Sequence, residues 1–225
     1  MNTAIIVAGG KGSRMGLNIK KQYIKLKGKM ILTRTVEKFE TCPEIDEIVI
    51  VAPKEDIAMV REELIINNGF KKVSRIVESG KERQDSVYNG LMAVAPECKY
   101  VFVHDAARPF ISYEAIKRAE KAVKSYGAVI VAVPVKDTIK IVNGQNKVQE
   151  TPDRSTLWSV QTPQVFKKEL LIKAYDKARE DGIAVTDDSM VVEYYGENVH
   201  VVMGDYNNIK ITTQEDLAIG AVLVN

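Results

Sequence analysis

Thr3-Ala4-Ile5-Ile6-Val7-Ala8-Gly9-Gly10-Lys11-Gly12-Ser13-Arg14-Met15-Gly16 is the stretch that decides the fold. Its opening, Thr3 to Val7, is a β-branched apolar run, long enough for a buried strand and too short for a helix. The run breaks into a glycine-rich turn. A buried strand leading into such a turn puts free backbone N–H groups at the carboxyl edge of a sheet, where phosphates bind. Glycine suits the turn because a residue without Cβ takes φ > 0 cheaply and lets a ligand approach the backbone. Charge points the same way: no acidic residue precedes Glu37, whereas Lys11, Arg14, Lys20, Lys21, Lys25, Lys27, Lys29 and Arg34 are all cationic. Positive charge gathered on a glycine turn suggests a polyphosphate. The plainer alternative is a turn followed by a solvated basic surface.

Spacing removes two specific readings. A Walker loop needs Gly-x-x-x-x-Gly-Lys-Ser/Thr, and no such string occurs. A dinucleotide fingerprint needs a third glycine where Met15 stands, and an acidic residue about twenty positions on, where the chain reads Lys29-Met30-Ile31-Leu32. A nicotinamide-dependent dehydrogenase is therefore disfavoured.

Working outward, 225 residues suffice for one domain with a full core, and 45% apolar with 28% charged residues is ordinary for a globular chain. A formal charge of +2 argues against a general nucleic-acid binder. Cys42 and Cys98 stand alone, implying neither a disulfide framework nor a zinc site. Met1-Asn2 leads straight into the first strand and no apolar run approaches transmembrane length, so the expectation is a cytoplasmic protein with no membrane partner.

Apolar runs recur at Ile48–Val51, Val101–Val103 and Val129–Val133, continuous rather than alternating, as expected of parallel strands covered on both faces. Helical spacing separates them: Val87, Leu91 and Val94 share a face, as do Ile116, Ala119 and Val123, and Leu170, Ala174 and Ala178. A last helix opens on a capping box, Thr213 to Asp216, and would bury Leu217, Ala221 and Val224. The predicted fold is α/β with a mostly parallel sheet and its functional loops at the carboxyl ends of the strands. One segment departs from that rhythm. Thr138–Val142 and Lys147–Thr151 flank Asn143-Gly144-Gln145-Asn146 as a hairpin, either a projecting arm that meets a second subunit or an edge of the same sheet.

His104-Asp105-Ala106-Ala107-Arg108-Pro109 follows the strand Tyr100–Val103, so Asp105 shares the row of loops that holds the glycine turn. One carboxylate facing a phosphate loop is what a Mg²⁺ bridge requires, since Mg²⁺ takes one or two carboxylates and completes its shell with phosphate and water. A simple pair with Arg108 is the alternative. Gly80-Lys81-Glu82-Arg83-Gln84-Asp85-Ser86 opens the helix carrying Val87 and fits either helix capping or base recognition.

The opening loop, with Gly10, Gly12, Arg14, Met15 and Lys21, resembles the signature of nucleotidyltransferases. With it, Lys21-Gln22, Glu82-Arg83-x-Asp85-Ser86-Val87, His104–Pro109, Val135-Lys136-Asp137-Thr138, Leu157-Trp158, Gln161-Thr162-Pro163-Gln164-x-Phe166, Thr186-Asp187-Asp188 and Asn208-Ile209-Lys210 resemble the 2-C-methyl-D-erythritol 4-phosphate cytidylyltransferase family. The likeness runs from Ala4 to Leu217. It implies a single Rossmann-like nucleotidyltransferase domain over 1–225, with 136–158 as a projecting dimerisation arm of a homodimer. It further implies transfer of the CMP part of CTP to 2-C-methyl-D-erythritol 4-phosphate, with release of pyrophosphate, Mg²⁺ as cofactor and a place in non-mevalonate isoprenoid synthesis.

By matching position the resemblance casts Arg14, Lys21, Arg154 and Lys210 as catalytic and Asp105 as the Mg²⁺ ligand. Ala8, Gly9, Gly10, Gly80, Arg83, Ser86, Asp105 and Ala106 would receive CTP. Asp105, Arg108, Thr138, Arg154, Thr162, Thr186 and Lys210 would hold the acceptor phosphate, with the arm reaching a neighbouring subunit's site. Ribitol-5-phosphate cytidylyltransferase is the nearest rival; Ala107, Leu157-Trp158 and Thr186-Asp187-Asp188 favour the methylerythritol family. A non-catalytic nucleotide-binding protein is the alternative of another class. Four departures stand out: Lys20 replaces the family's usual proline, Gly9 replaces a common alanine in what reads as a mild change, and Ser79 and Lys81 replace the commoner glycine and acidic residues beside Gly80.

Overall fold

The structure, a computed structural model, describes residues 1–10 and 19–224. The expected apolar runs are its strands. β1 (Asn2–Val7) leads to the glycine turn, and a two-residue ladder, β2 (Lys25–Leu26) with β3 (Lys29–Met30), precedes helix α1 (Ile31–Glu40). Next come β4 (Glu47–Ala52), α2 (Ile57–Arg61), β5 (Val73–Glu78), α3 (Arg83–Ala93), β6 (Tyr100–Asp105), α4 (Tyr113–Tyr126) and β7 (Ala128–Pro134). The arm strands β8 (Ile141–Val142) and β9 (Val148–Glu150) follow, then β10 (Trp158–Lys167), α5 (Lys168–Glu180), α6 (Asp188–Tyr194), β11 (His200–Met203) and α7 (Gln214–Leu223).

Seven strands make one sheet in the order β11-β7-β10-β6-β1-β4-β5. β1 pairs in parallel with β4 on one side and with β6 on the other. The chain therefore winds outward in one direction and returns to the far side of β1. Such a switch point opens a crevice at the strands' carboxyl ends. Here it sets Val7 opposite Asp105, so the glycine turn and the carboxylate leave neighbouring strands at the same level.

Strand alternation splits the core. Ala4 and Ile6 point to a layer formed by Leu32, Val36 and Phe39 of α1 with Ile116, Ala119 and Val123 of α4. Ile5 points to the other layer, with Val87 and Leu91 of α3 and Leu171, Ala174 and Tyr175 of α5. On α5 the buried stripe is thus Leu171, Ala174, Tyr175 and Ala178, while Leu170 is only half-buried. The capping box of α7 is present, but Leu217, Ala221 and Val224 are also only half-buried, packing on a small satellite cluster of Leu26, Ile31 and Ile211.

The sheet is mostly parallel, as expected; β10 alone runs antiparallel, between β6 and β7. Its register shifts between Val160 and Gln164, and its polar Gln161, Thr162 and Gln164 are buried. The hairpin is a separate two-stranded sheet, with a ladder shorter than expected. Asn143 builds its tip by accepting the N–H groups of Gln145 and Lys147 on Oδ1, each at 3.0 Å. Among the described residues, no helix is long and apolar enough to cross a membrane.

Candidate active site

A cleft of about 480 Å³ opens at the switch point, within the usual range for small-molecule sites. Ala8, Gly9, Gly10 and Lys21 form one wall, Gly80, Arg83 and Ser86 the second, and Asp105, Ala106 and Lys210 the third. Ten of the residues expected in the site thus converge. Arg14 lies outside the described residues, as do Gly12 and Met15.

The glycine wall is set by Gln22, whose side-chain amide donates to the carbonyls of Ala8 at 2.6 Å and Gly10 at 3.2 Å. A Cβ placed on Gly10 would lie 4.0 Å from Lys21 Cε, so the Lys21 stem runs beside the turn. Among the described residues, several cations of the opening stretch are engaged elsewhere. Lys29 pairs with Glu37, Arg34 caps the carbonyls of Leu26 and Lys27, and Lys27 bonds the Val224 carbonyl. Lys20 does line the cleft, but its ammonium is held by Glu55 at 2.7 Å and Asp56 at 2.6 Å.

Gly80 has no room for a side chain: a Cβ there would sit 2.2 Å from Asp85 Cβ. Its N–H donates to Ser86 Oγ at 3.0 Å, and that hydroxyl donates to the Glu82 carbonyl. The start of α3 is therefore closed on itself as a capping box, with Glu82 and Asp85 as reciprocal partners. Gly9 and Ser79 turn out to be coupled. A Cβ on Gly9 would come within 2.8 Å of Ser79 Cβ. The departure that reads as mild in sequence sits against the serine opposite, whose Cβ takes up space an alanine would need.

Asp105 carries the electrostatics of the third wall. Lys210 Nζ lies 2.7 Å from one carboxylate oxygen, Arg108 Nε 3.7 Å from the same oxygen and Arg83 Nε 3.8 Å from the other. Burial alone would raise the carboxyl's pKa; Lys210, Arg83 and Arg108 outweigh it and hold the group well below the usual carboxylate range. The pairing with Arg108 seen as an alternative is thus one contact of three. Among the described residues no three His, Cys, Asp or Glu side chains cluster as a metal cage. One ionised carboxylate across from a glycine turn suits a Mg²⁺ that arrives with phosphates and keeps its own water.

The wall behind Asp105 is a chain of hydrogen bonds that sequence reading missed. Thr162 Oγ1 accepts the Asp105 N–H at 3.1 Å and lies 3.0 Å from His104 Nδ1; His104 Nε2 lies 3.0 Å from the Arg108 carbonyl. A carbonyl only accepts, so Nε2 carries the proton and the Thr162 hydroxyl donates to Nδ1. Burial pushes the His104 imidazole down to about 4, with the Arg108 carbonyl opposing, so the ring stays neutral. Thr162 is buried and commits its hydroxyl proton inside the wall. Arg108 donates to the Asn208 carbonyl at 2.8 Å, and its buried Nε finds no hydrogen-bond acceptor among the described residues. Asn208 in turn donates to Gln161 Oε1 and to the Thr162 carbonyl, which fixes the loop that carries Lys210.

A profile described as 2-C-methyl-D-erythritol 4-phosphate cytidylyltransferase matches residues 2–225. The chain belongs to that family. It is therefore a nucleotidyltransferase, the class indicated by its opening loop. A relative of that name from Alkaliphilus oremlandii is 48% identical over 96% of this chain and 92% of its own length. Another, from Clostridioides difficile, is 47% identical over 100% of this chain and 94% of its own. Among solved structures, 4-diphosphocytidyl-2C-methyl-D-erythritol synthase from Anaerococcus prevotii superposes with a TM-score of 0.88 at 34% identity, covering 99% of this chain and 95% of that one.

Of the residues that the family likeness assigns to the acceptor, Arg108 and Thr162 lie in the wall behind Asp105 rather than in the cleft lining, and three others stand further off. Thr138 and Arg154 are exposed on the arm, where Arg154 donates to the Lys136 carbonyl at 2.8 Å. Thr186 is exposed just before α6, its hydroxyl 3.7 Å from Met190 Sδ. The arm's root is fastened to its own subunit: Lys136 Nζ sits 3.6 Å over the Tyr206 ring, whose hydroxyl donates to the Pro134 carbonyl.

Proposed function

We propose that the protein joins 2-C-methyl-D-erythritol 4-phosphate to the cytidylyl group of CTP, giving 4-diphosphocytidyl-2-C-methyl-D-erythritol and pyrophosphate, as a step of isoprenoid biosynthesis. The observation that carries this reading is the switch-point cleft, in which a glycine turn with Lys21 faces an ionised Asp105 ringed by Lys210, Arg83 and Arg108. In that reading the backbone of Ala8, Gly9 and Gly10, with Gly80, Arg83, Ser86 and Ala106, receives the nucleotide. Lys21 and Arg14 meet the charge that builds on the α-phosphate. Asp105 would hold Mg²⁺, which supplies further positive charge to the triphosphate when bound.

The attacking group is a phosphate monoester, mostly dianionic at pH 7 because its second pKa is about 6. No side chain needs to take a proton from it. His104, the histidine nearest the cleft, is sealed in the wall as a neutral donor to the Arg108 carbonyl and is not available as a base. The task left to the protein is to bring two anions together and to favour the charge of the transition state, which positioned cations do. Lys210 bridges both tasks from its place on Asp105.

Thr138 and Arg154 stand outside their own cleft, so the reading places them in a neighbour's, with Arg108, Thr162, Thr186 and Lys210 completing the acceptor side. Supporting this, Ile139, Ile141, Val142, Val148, Trp158 and Val160 on the arm and its base are between 39% and 52% exposed. Apolar side chains left open together on an arm are the kind of surface that an interface would cover. A symmetric homodimer through the arm is accordingly part of the proposal, as is a cytoplasmic place of work, where CTP is available. The test is pyrophosphate release from CTP and Mg²⁺, with methylerythritol phosphate and ribitol phosphate offered side by side. Release with methylerythritol phosphate in clear preference is expected, and none with it would overturn the reading.

A further inference from the structure

Behind the cleft lies a second acidic group, to which the motif reading gives no role. Asp188 opens α6 and is 0% exposed. Its place is tightly set: Gln164 Oε1 accepts the N–H groups of Asp188 at 3.0 Å and Ser189 at 2.9 Å, while Gln164 Nε2 donates to Asp187 at 2.9 Å. The start of α6 is thereby clipped to β10. The Asp188 carboxylate then accepts three hydrogen bonds. Tyr175 donates to Oδ1 at 2.6 Å, and Arg83 grips both oxygens, Nη1 at 3.2 Å and Nη2 at 2.7 Å.

This fork matters because of what Arg83 would do without it. The guanidinium lines the cleft, and its Nε is only 3.8 Å from Asp105. Asp105 already has Lys210 at 2.7 Å and Arg108 at 3.7 Å. Released from behind, Arg83 would close the remaining distance and pair with Asp105 directly, masking the carboxylate that leaves β6 at the level where the glycine turn leaves β1. Held in a bidentate fork, it cannot rotate onto Asp105, and the rest of its five N–H donors stay directed away from Asp188. The buried carboxylate also balances the guanidinium charge from the rear.

We infer that Asp188, supported by Tyr175 and Gln164, is a positioning residue that acts through Arg83: it keeps the guanidinium in the cleft wall for the nucleotide and off Asp105. The inference rests on the proposal that CTP occupies this cleft.

The test is a double-mutant cycle of Asp188→Asn and Arg83→Gln, read as the dissociation constant of CTP with Mg²⁺ by calorimetric titration, on variants shown by circular dichroism to be folded. Asparagine keeps the shape and the Tyr175 contact while removing the charge. Asp188→Asn alone should weaken CTP about 10- to 100-fold, the range for a charge-assisted hydrogen bond. Adding it to Arg83→Gln should change affinity by no more than about twofold, because the two act as one unit. In turnover, Asp188→Asn should raise KM for CTP and leave kcat at saturating CTP largely intact, a split that general loosening of the fold would not give. Additive losses, or a fall in kcat with unchanged KM, would overturn the inference. Should Asp188→Asn not fold, Tyr175→Phe in the same cycle asks the question with the buried charge pair intact; the same non-additivity is expected, and additivity counts against the inference. Wild-type protein that fails to bind CTP would instead sink the nucleotide reading itself, an outcome seen before any variant is made.

Discussion

The cleft and the arm are built on opposite principles. In the cleft, functional groups are held by partners behind them: the Arg83 side chain by Asp188, the Asp105 backbone by the Thr162 hydroxyl, the loop carrying Lys210 by Asn208 and the backbone of the glycine turn by Gln22. On the arm, residues 136–142 are all exposed and the ladder is a few residues long. Thr138 and Arg154 face away from the elements that position everything else. Side chains are held only as firmly as their surroundings allow, and the arm's own chain gives Thr138 and Arg154 little to pack against. The contrast teaches that the residues proposed for the nucleotide are backed by their own chain, whereas Thr138 and Arg154, proposed for the acceptor, are not.

The contrast can be broken from either end. On the cleft side, Lys21→Ala should cut kcat about 10²–10³-fold, as loss of one transition-state donor does; turnover near normal would remove Lys21 from the chemistry. From the arm, Arg154→Ala should lower kcat/KM for the acceptor about 10- to 100-fold while the CTP dissociation constant stays within twofold. Equal losses on both substrates would mean the arm serves no distinct half-site. Mixing the two inactive chains joins the ends. If dimers exchange at random and the arm completes the neighbour's site, half the dimers are mixed and each holds one intact site, restoring about a quarter of wild-type activity. A mixture that stays inactive breaks the sharing.

Two smaller effects sharpen the cleft side alone. His104 has a folded pKa of about 4 against 6.5 for the free ring. The unfolded chain therefore takes up the proton first, and native stability should fall as pH drops from 6.5 towards 4, by about 3 kcal/mol in total. Urea unfolding across that range should show a slope shallower by up to one proton in His104→Gln; identical slopes would contradict a neutral buried ring. Asp105 acts below that window, since its depressed pKa loses stability only as pH falls beneath the usual carboxylate range. Last, Gly9→Ala should cost about 1–3 kcal/mol through overpacking against Ser79, and Ser79→Gly in the same chain should return most of it. A single Gly9→Ala variant as stable as wild type would show that the serine gives way.

The legible part of the molecule was what is written locally. A β-branched run ending in glycines, and a strand ending in Asp105, declare themselves within a few residues, and the switch in strand order then brings them together. Proximity along the chain misled where it stood in for proximity in space. The cations after the glycine turn looked like one phosphate patch, yet Lys29 and Arg34 are occupied by Glu37 and by backbone carbonyls, and Lys20 by Glu55 and Asp56. β10 was hidden for a different reason. A central strand containing Pro163, Gln161, Thr162 and Gln164 violates the pattern by which buried strands are read, because Pro cannot donate to a ladder and amides need partners. Those partners exist only once Asn208, Asp187 and the N–H groups of α6 are folded against it. Asp188 and Arg83, 105 positions apart, are equally invisible until then.

One strand thus does four jobs at adjacent positions. β10 receives the arm at Trp158, steadies the Lys210 loop through Gln161, caps Asp105 through Thr162 and clips α6 through Gln164. Neighbouring residues on a strand face opposite sides, so adding or losing one residue here would turn each of these groups away from its partner at once. At the hairpin tip, where Gly144 has nothing within 4 Å of a would-be Cβ, an extra residue meets nothing of its own chain. As far as this chain's own packing goes, length can therefore drift at the end of the arm and hardly at all a few residues later, where the same segment re-enters the sheet.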